Sequence, residues 1–135
     1  IHDHKTGALI TASLLVGAHA GAGPLGAPEP VLEPLRRFGD LLGRAFQIAD
    51  DSLDLTGSAA ELGKNPGADV ALGKLTWPAL LGLDESLRTA RRLSDEARSL
   101  APHIVAAAAA WRGGVLDDAT PLLQDVASYA VERRH

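Results

Sequence analysis

The sequence predicts an all-α protein, and three observations support this prediction. Aromatic residues make up only 4% of the 135 residues, whereas alanine and leucine are abundant, which favours helices packed through aliphatic side chains. Apolar residues recur at helical spacing over long segments, and stretches rich in glycine and proline separate these segments. No segment shows the alternation of apolar and polar residues that is typical of strands.

The spacing of apolar residues predicts a first helix over about residues 3–20. The Gly- and Pro-rich stretch over 21–30 is predicted to be a loop. The longest helix is predicted over about residues 31–55, and a long Gly-rich loop over 57–73 follows it. The apolar positions that define the period of this longest helix are Leu32, Leu35, Phe38, Leu41, Leu42, Ala45, Phe46, Ala49 and Leu53.

The rest of the chain is predicted to form four shorter helices. The first runs from about Lys74 to Leu83, and the second runs to about Leu100 with Asp84 as its N-cap. Pro102 then opens a third helix through the alanine run to Trp111, since proline is tolerated in a first turn. Gly113 and Gly114 end that helix, and a last one spans about residues 117–133.

The composition limits the classes of function. A length of 135 residues suits one hydrophobic core, and a net charge of −4 gives no electrostatic case for binding nucleic acid or an anionic membrane surface. Because the chain has no cysteine, it holds no disulfide framework and no thiolate metal site. No uninterrupted apolar run reaches the length of a membrane span, and no signal pattern precedes the first helix. We therefore expect a cytoplasmic protein.

Three carboxylates, Asp50, Asp51 and Asp54, fall within five positions near the end of the longest predicted helix. On a helix, Asp50 and Asp54 lie one turn apart on the same face, with Asp51 on the flank and Gln47 one turn earlier. Like charges at this spacing repel, and a nearby cation relieves the repulsion. Carboxylates are the hard oxygen ligands that suit Mg²⁺, although a solvated acidic helix face explains the triplet equally well at this stage.

Three lysines occur in the predicted loops and helix ends around this acidic helix: Lys5, Lys64 and Lys74. Lysine is a common phosphate ligand, and carboxylates that hold Mg²⁺ together with lysines that hold phosphate oxygens stabilise a diphosphate group. Each lysine taken singly is more often a solvated surface group.

The ordered set of these motifs resembles the C-terminal half of the trans-isoprenyl diphosphate synthases, in particular the bacterial farnesyl and geranyl diphosphate synthase type. The resemblance is carried by segments 2–10, 43–54, 62–64, 67–69 and 73–80, which read HDHKTGALI, GRAFQIADDSLD, LGK, GAD and GKLTWPAL. These segments occur in the family's order and with similar spacing, over residues 1 to about 85. The final third is similar in helical character, with a Tyr129…Arg133 pattern at its end.

The resemblance implies the C-terminal part of the isoprenoid synthase helical bundle and a role for each matching residue. Asp50, Asp51 and Asp54 resemble the second aspartate-rich motif, which binds Mg²⁺ bridging to the allylic diphosphate. Lys5, Lys64 and Lys74 are similar to the family's diphosphate-binding lysines. Thr6 and Gln47 would border the reacting carbons, with the Gln47 carbonyl facing the allylic cation. Phe46 would flank the isopentenyl substrate, and Arg133 resembles a basic tail over the isopentenyl diphosphate site.

On this basis we expect residues 1–135 to form the C-terminal portion of one helical prenyltransferase domain, whose N-terminal half, with the first aspartate-rich motif, is absent. The expected reaction condenses isopentenyl diphosphate with dimethylallyl or geranyl diphosphate to give farnesyl diphosphate, in a full-length protein that is a homodimer. The chain alone is expected to be incomplete and inactive. Alternatives are a geranylgeranyl or geranyl diphosphate synthase, a non-catalytic helical subunit of the family, and an unrelated helical domain with an acidic patch.

Overall fold

The computed structural model of the chain describes residues 2–56, 75–114 and 119–132. Its regular elements within those ranges are all helical, which confirms the all-α prediction. They are α1 (His2–Ala22), a short 3-10 turn (Gly23–Leu25), α2 (Glu29–Thr56), α3 (Trp77–Leu81), α4 (Leu83–Arg112) and α5 (Ala119–Glu132). The loop predicted over 57–73 lies outside the described residues.

Helix α2 is the centre of the fold, because it packs against α1 on one side and α4 on another, while α5 covers α4. Its period of apolar residues buries Phe38, Ala45 and Ile48 completely, at 0% exposure. Two members of the predicted apolar period, Phe46 and Leu53, are only half-buried. The same core continues into α4 and α5 through Leu93 and small alanines, so the helices approach closely through aliphatic contacts.

Helices α1 and α2 cross in backbone contact because glycine occupies the points of closest approach. A Cβ built on Gly43 would stand 2.6 Å from the Cα of Gly7, and one on Gly39 would stand 2.8 Å from the Cα of Thr11. Neither position accepts a side chain without moving the helices apart. The Thr11 hydroxyl donates a hydrogen bond across the crossing to Asp40, the residue that follows Gly39, at 3.2 Å.

Helix α4 differs from the prediction at its start and at its middle. Gly82, with φ 80° and ψ 158°, is the N-cap, and Asp84 lies in the first turn instead. The predicted break between Leu100 and Pro102 was wrong, since one helix runs from Leu83 to Arg112 with Pro102 inside it. Proline removes one backbone hydrogen bond, but burial of the flanking residues Ala101 and Ile104 in the core favours continuation of the helix.

The end of α1 is tied to the connection that precedes α2 and to the end of α4. The helix runs to Ala22, past the predicted end, and the loop that was predicted over 21–30 is reduced to the 3-10 turn and residues 26–28. The Ala27 amide donates a hydrogen bond to Nδ1 of His19 at 3.2 Å, and Arg112 donates one to the carbonyl oxygen of Gly21 at 2.7 Å. These contacts fix the turn between α1 and α2 against the end of α4.

One segment of the described chain, Lys5–Leu25, is long and apolar enough to cross a membrane by length and composition, with a mean hydropathy of 1.4. The sequence-based prediction of no apolar run of that length differs from this finding. One such helix is weak evidence for a span, because a core helix of a globular protein passes the same test. In this structure the inner face of α1 packs against α2, whereas Leu9 and Val16 on its other side are exposed.

Candidate functional site

The acidic triplet lies in the last turns of α2, and burial divides its members. Asp50 is exposed. Asp51 and Asp54 are buried, with 8% and 3% of their surface accessible. The helix therefore presents one carboxylate outward at this end and holds two within the packed structure.

Two hydrogen bonds fix the carboxylate of Asp51. Its Oδ1 accepts a hydrogen bond from Nε2 of Gln47, one turn earlier, at 3.0 Å. Its Oδ2 accepts one from the backbone N–H of Trp77, at the start of α3, at 3.1 Å. The first four N–H groups of a helix have no partner within the helix, so Asp51 satisfies one of them. The contact ties α3 to the acidic end of α2.

A groove of about 590 Å³ opens beside this contact, between α1, α2 and the start of α3. Its walls are formed by Gly7, Ala8, Asp40, Gly43, Arg44, Gln47 and Trp77. Gln47 is thus the predicted site residue that lines the groove and contacts the triplet. The close crossing of α1 and α2 sets the distance between the walls, since Gly7 and Gly43 belong both to the crossing and to the groove.

Three other predicted residues of α1 and α2 are neighbours of groove residues in the sequence. Lys5, which is exposed, and Thr6, which is half-buried, directly precede Gly7 in the first turns of α1. Phe46, adjacent to Gln47, is half-buried and packs against the hydrophobic core. Lys64, Lys74 and Arg133 lie outside the described residues, so their part in the site stays a prediction.

Three charged or aromatic residues of the groove were given no role by the sequence analysis: Asp40, Arg44 and Trp77. Asp40 and Arg44 precede Gln47 by seven and three residues, so all three share one face of α2. That spacing could have indicated Asp40 and Arg44 from the sequence. The position of Trp77 depends on the docking of α3, which local spacing does not reveal.

Among residues 2–56, 75–114 and 119–132, no three His, Asp or Glu side chains are grouped so as to hold a metal ion. Mg²⁺ keeps several water ligands and is usually bound by one or two carboxylates together with substrate phosphates. The exposed carboxylate of Asp50 has the chemistry for that kind of contact.

Comparison with known proteins identifies relatives for most of the chain. The profile of the polyprenyl synthetase family matches residues 1–109. Farnesyl diphosphate synthase of Escherichia coli (strain K12) is 48% identical over 98 residues, which cover 73% of this chain and 32% of the relative. Geranylgeranyl pyrophosphate synthase 10, mitochondrial, of Arabidopsis thaliana is 39% identical over 135 residues, covering 100% of this chain and 35% of the relative. The chain therefore spans about a third of the length of these two relatives.

Proposed function

The chain belongs to the polyprenyl synthetase family, and from that premise we propose that it is the C-terminal portion of a prenyltransferase. The proposed enzyme joins isopentenyl diphosphate to an allylic diphosphate, dimethylallyl or geranyl, and releases farnesyl diphosphate. The observation that carries the proposal is the groove beside Lys5 and Thr6, with Gln47 in its wall and the carboxylate of Asp50 exposed one turn away.

The chemistry of the reaction explains why these residue types stand together. The allylic C–O bond breaks, its electron pair leaves with the diphosphate, and an allylic cation remains. The alkene of isopentenyl diphosphate supplies the pair for the new C–C bond, and loss of a proton restores a double bond. An enzyme for this step stabilises the diphosphate, faces the cation with oxygen dipoles and keeps water away from it.

In this chain we assign the diphosphate to Lys5, with Lys64 and Lys74 from the neighbouring segment. Lysine contributes a compact positive charge to phosphate oxygens. Mg²⁺, when bound, supplies further neutralisation of the diphosphate charge, and Asp50 is the exposed carboxylate of the acidic triplet that we assign to it. Asp51 and Asp54 support this end of the helix from buried positions.

Gln47 and Thr6 are assigned to the side of the reacting carbons. The amide nitrogen of Gln47 is engaged by Asp51, which leaves its carbonyl oxygen as the end available to the groove. A carbonyl oxygen carries partial negative charge and stabilises a nearby cation without acting as a nucleophile toward it. Farnesyl diphosphate is the product we propose because the relative at 48% identity is a farnesyl diphosphate synthase.

The test uses the complete protein that contains this chain, assayed with isopentenyl and geranyl diphosphates in the presence of Mg²⁺. We expect Asp50→Ala to lower kcat by about two to four orders of magnitude, because it removes a contact to charge that develops in the transition state. Asp125→Ala, which removes an exposed carboxylate from α5, is the matched control and should leave the rate unchanged.

An unchanged rate for Asp50→Ala would exclude Asp50 as a metal contact. A folded wild-type protein that binds diphosphate but does not turn over would favour the non-catalytic subunit instead. Chromatography of the product decides between farnesyl diphosphate and the geranyl or geranylgeranyl alternatives.

A further inference from the structure

The hydrogen bonds of Asp51 determine which end of the Gln47 amide faces the groove. The NH₂ end of the Gln47 amide donates a hydrogen bond to Oδ1 of Asp51 at 3.0 Å. Gln47 also lines the groove. The nitrogen is therefore held by Asp51, and the carbonyl oxygen Oε1 is the end of the amide that Asp51 does not engage.

The carboxylate that orients Gln47 is itself held in place. Its second oxygen accepts the N–H of Trp77 at 3.1 Å, and 8% of the residue is accessible to solvent. A side chain that is buried and engaged at both oxygens has little freedom to rotate away from Gln47. The orientation of the amide therefore depends on contacts between α2 and α3 rather than on Gln47 alone.

We propose that Asp51 is a positioning residue that acts through Gln47, fixing the amide so that its carbonyl oxygen, and not its NH₂ group, faces the reacting carbons. The proposal rests on the proposed prenyltransferase function. It gives Asp51 a role distinct from that of a direct metal ligand. A carbonyl oxygen directed at the allylic cation is favourable, whereas an NH₂ group in the same place presents positive charge to a cation.

The substitution Asp51→Asn tests the proposal because it keeps the shape and changes the hydrogen-bonding pattern. The N–H of Trp77 still needs an acceptor, so the new carboxamide offers its oxygen to Trp77 and its NH₂ group to Gln47. Two NH₂ groups cannot satisfy each other, and Gln47 relieves the conflict by turning its own oxygen toward residue 51. Its NH₂ group then faces the groove.

In the complete protein we expect Asp51→Asn to lower kcat about 10- to 100-fold while KM for the allylic diphosphate changes little. Glu33→Gln, which removes an exposed carboxylate from the same helix, is the control for charge. It should change neither kcat nor KM. In a Gln47→Leu background, where no amide remains to be oriented, adding Asp51→Asn should lower kcat less than about 2-fold.

The second measurement is independent of turnover. Calorimetric titration of Mg²⁺ in the presence of inorganic diphosphate should give the same affinity for wild type and for Asp51→Asn. A large loss of Mg²⁺ affinity would overturn the proposal, because it would make Asp51 a metal ligand. An equal loss of kcat in the wild-type and Gln47→Leu backgrounds would overturn it as well.

The proposed function and this inference fail in different ways. If the wild-type complete protein forms no prenyl product, both are lost. If it forms product but Asp51→Asn and Gln47→Leu lower kcat independently of each other, only the positioning role of Asp51 is lost.

Discussion

The substitution Gly43→Ala probes the backbone contact between α1 and α2 directly. The added Cβ would lie 2.6 Å from the Cα of Gly7, whereas carbon atoms in ordinary contact are about 3.5–4.0 Å apart. Both atoms of the clash belong to the backbone or are fixed to it, so no side-chain rotation relieves it. The helices have to separate by roughly 1 Å at the crossing.

The size of the effect follows from two opposing contributions. Replacing glycine by alanine inside a helix gains about 1 kcal/mol, and overpacking a close contact costs about 1–3 kcal/mol. Because the contact is far below van der Waals distance, we take the upper part of that range. The expected net loss in the free energy of unfolding is about 1–2 kcal/mol.

The crossing offers two matched controls. Alanine at Gly7 would place its Cβ 3.9 Å from the Cα of Gly43, an ordinary contact, so Gly7→Ala should be tolerated although it lies at the same crossing. A Cβ on Gly17 would have nothing within 4 Å, so Gly17→Ala should stabilise α1 by about 0.5–1 kcal/mol. The three variants are compared by urea denaturation of the complete protein, at constant m-value.

The same substitution should also affect the proposed reaction. The crossing sets the position of Lys5 and Thr6 relative to Gln47, and a displacement of about 1 Å in a catalytic arrangement can lower activity about 100-fold. If Gly43→Ala were as stable as Gly17→Ala, α1 and α2 would not cross in backbone contact, and the argument for the width of the groove would be refuted.

Two further predictions concern other parts of the fold. Gly113 ends α4 in the left-handed conformation, with φ 69° and ψ 31°, so Gly113→Ala should lower the free energy of unfolding by about 1–2 kcal/mol and Gly113→Asn by less, measured by urea denaturation. The chain of 135 residues expressed alone should associate, because Leu9 and Val16 on α1 are 68% and 66% exposed. Sedimentation showing a monomer that melts cooperatively would contradict this expectation.

The sequence predicted α2 within two residues of its observed ends because strong local signals mark where the helix begins and where it ends. Pro28 and Pro30 favour a start at that point, and a regular apolar period continues to Leu53. The continuity of α4 was not predictable in the same way. Pro102 is a valid local signal for a new helix, and only the burial of its neighbours in the assembled core shows that the helix continues through it.

The candidate site was predictable to a similar extent and for the same reason. The contact between Gln47 and Asp51 follows from helical spacing, since contacts four residues apart belong to the helix itself. Spacing could not show that Asp51 would be buried, because its second partner, Trp77, is 26 residues away. The hydrogen bond from Arg112 to the carbonyl oxygen of Gly21 joins residues that lie still further apart in the sequence.

These contacts change the meaning of the acidic motif. Three carboxylates within five residues suggest three equivalent metal ligands, yet their environments give them different chemistry. Asp50 is exposed, whereas Asp51 is buried and accepts hydrogen bonds from Gln47 and Trp77. A carboxylate already engaged by two N–H groups has to exchange them before it contacts a cation, and the exchange would release both α3 and the Gln47 amide. The docking of α3 therefore separates the residue suited to meet a cation from the residue that orients the groove.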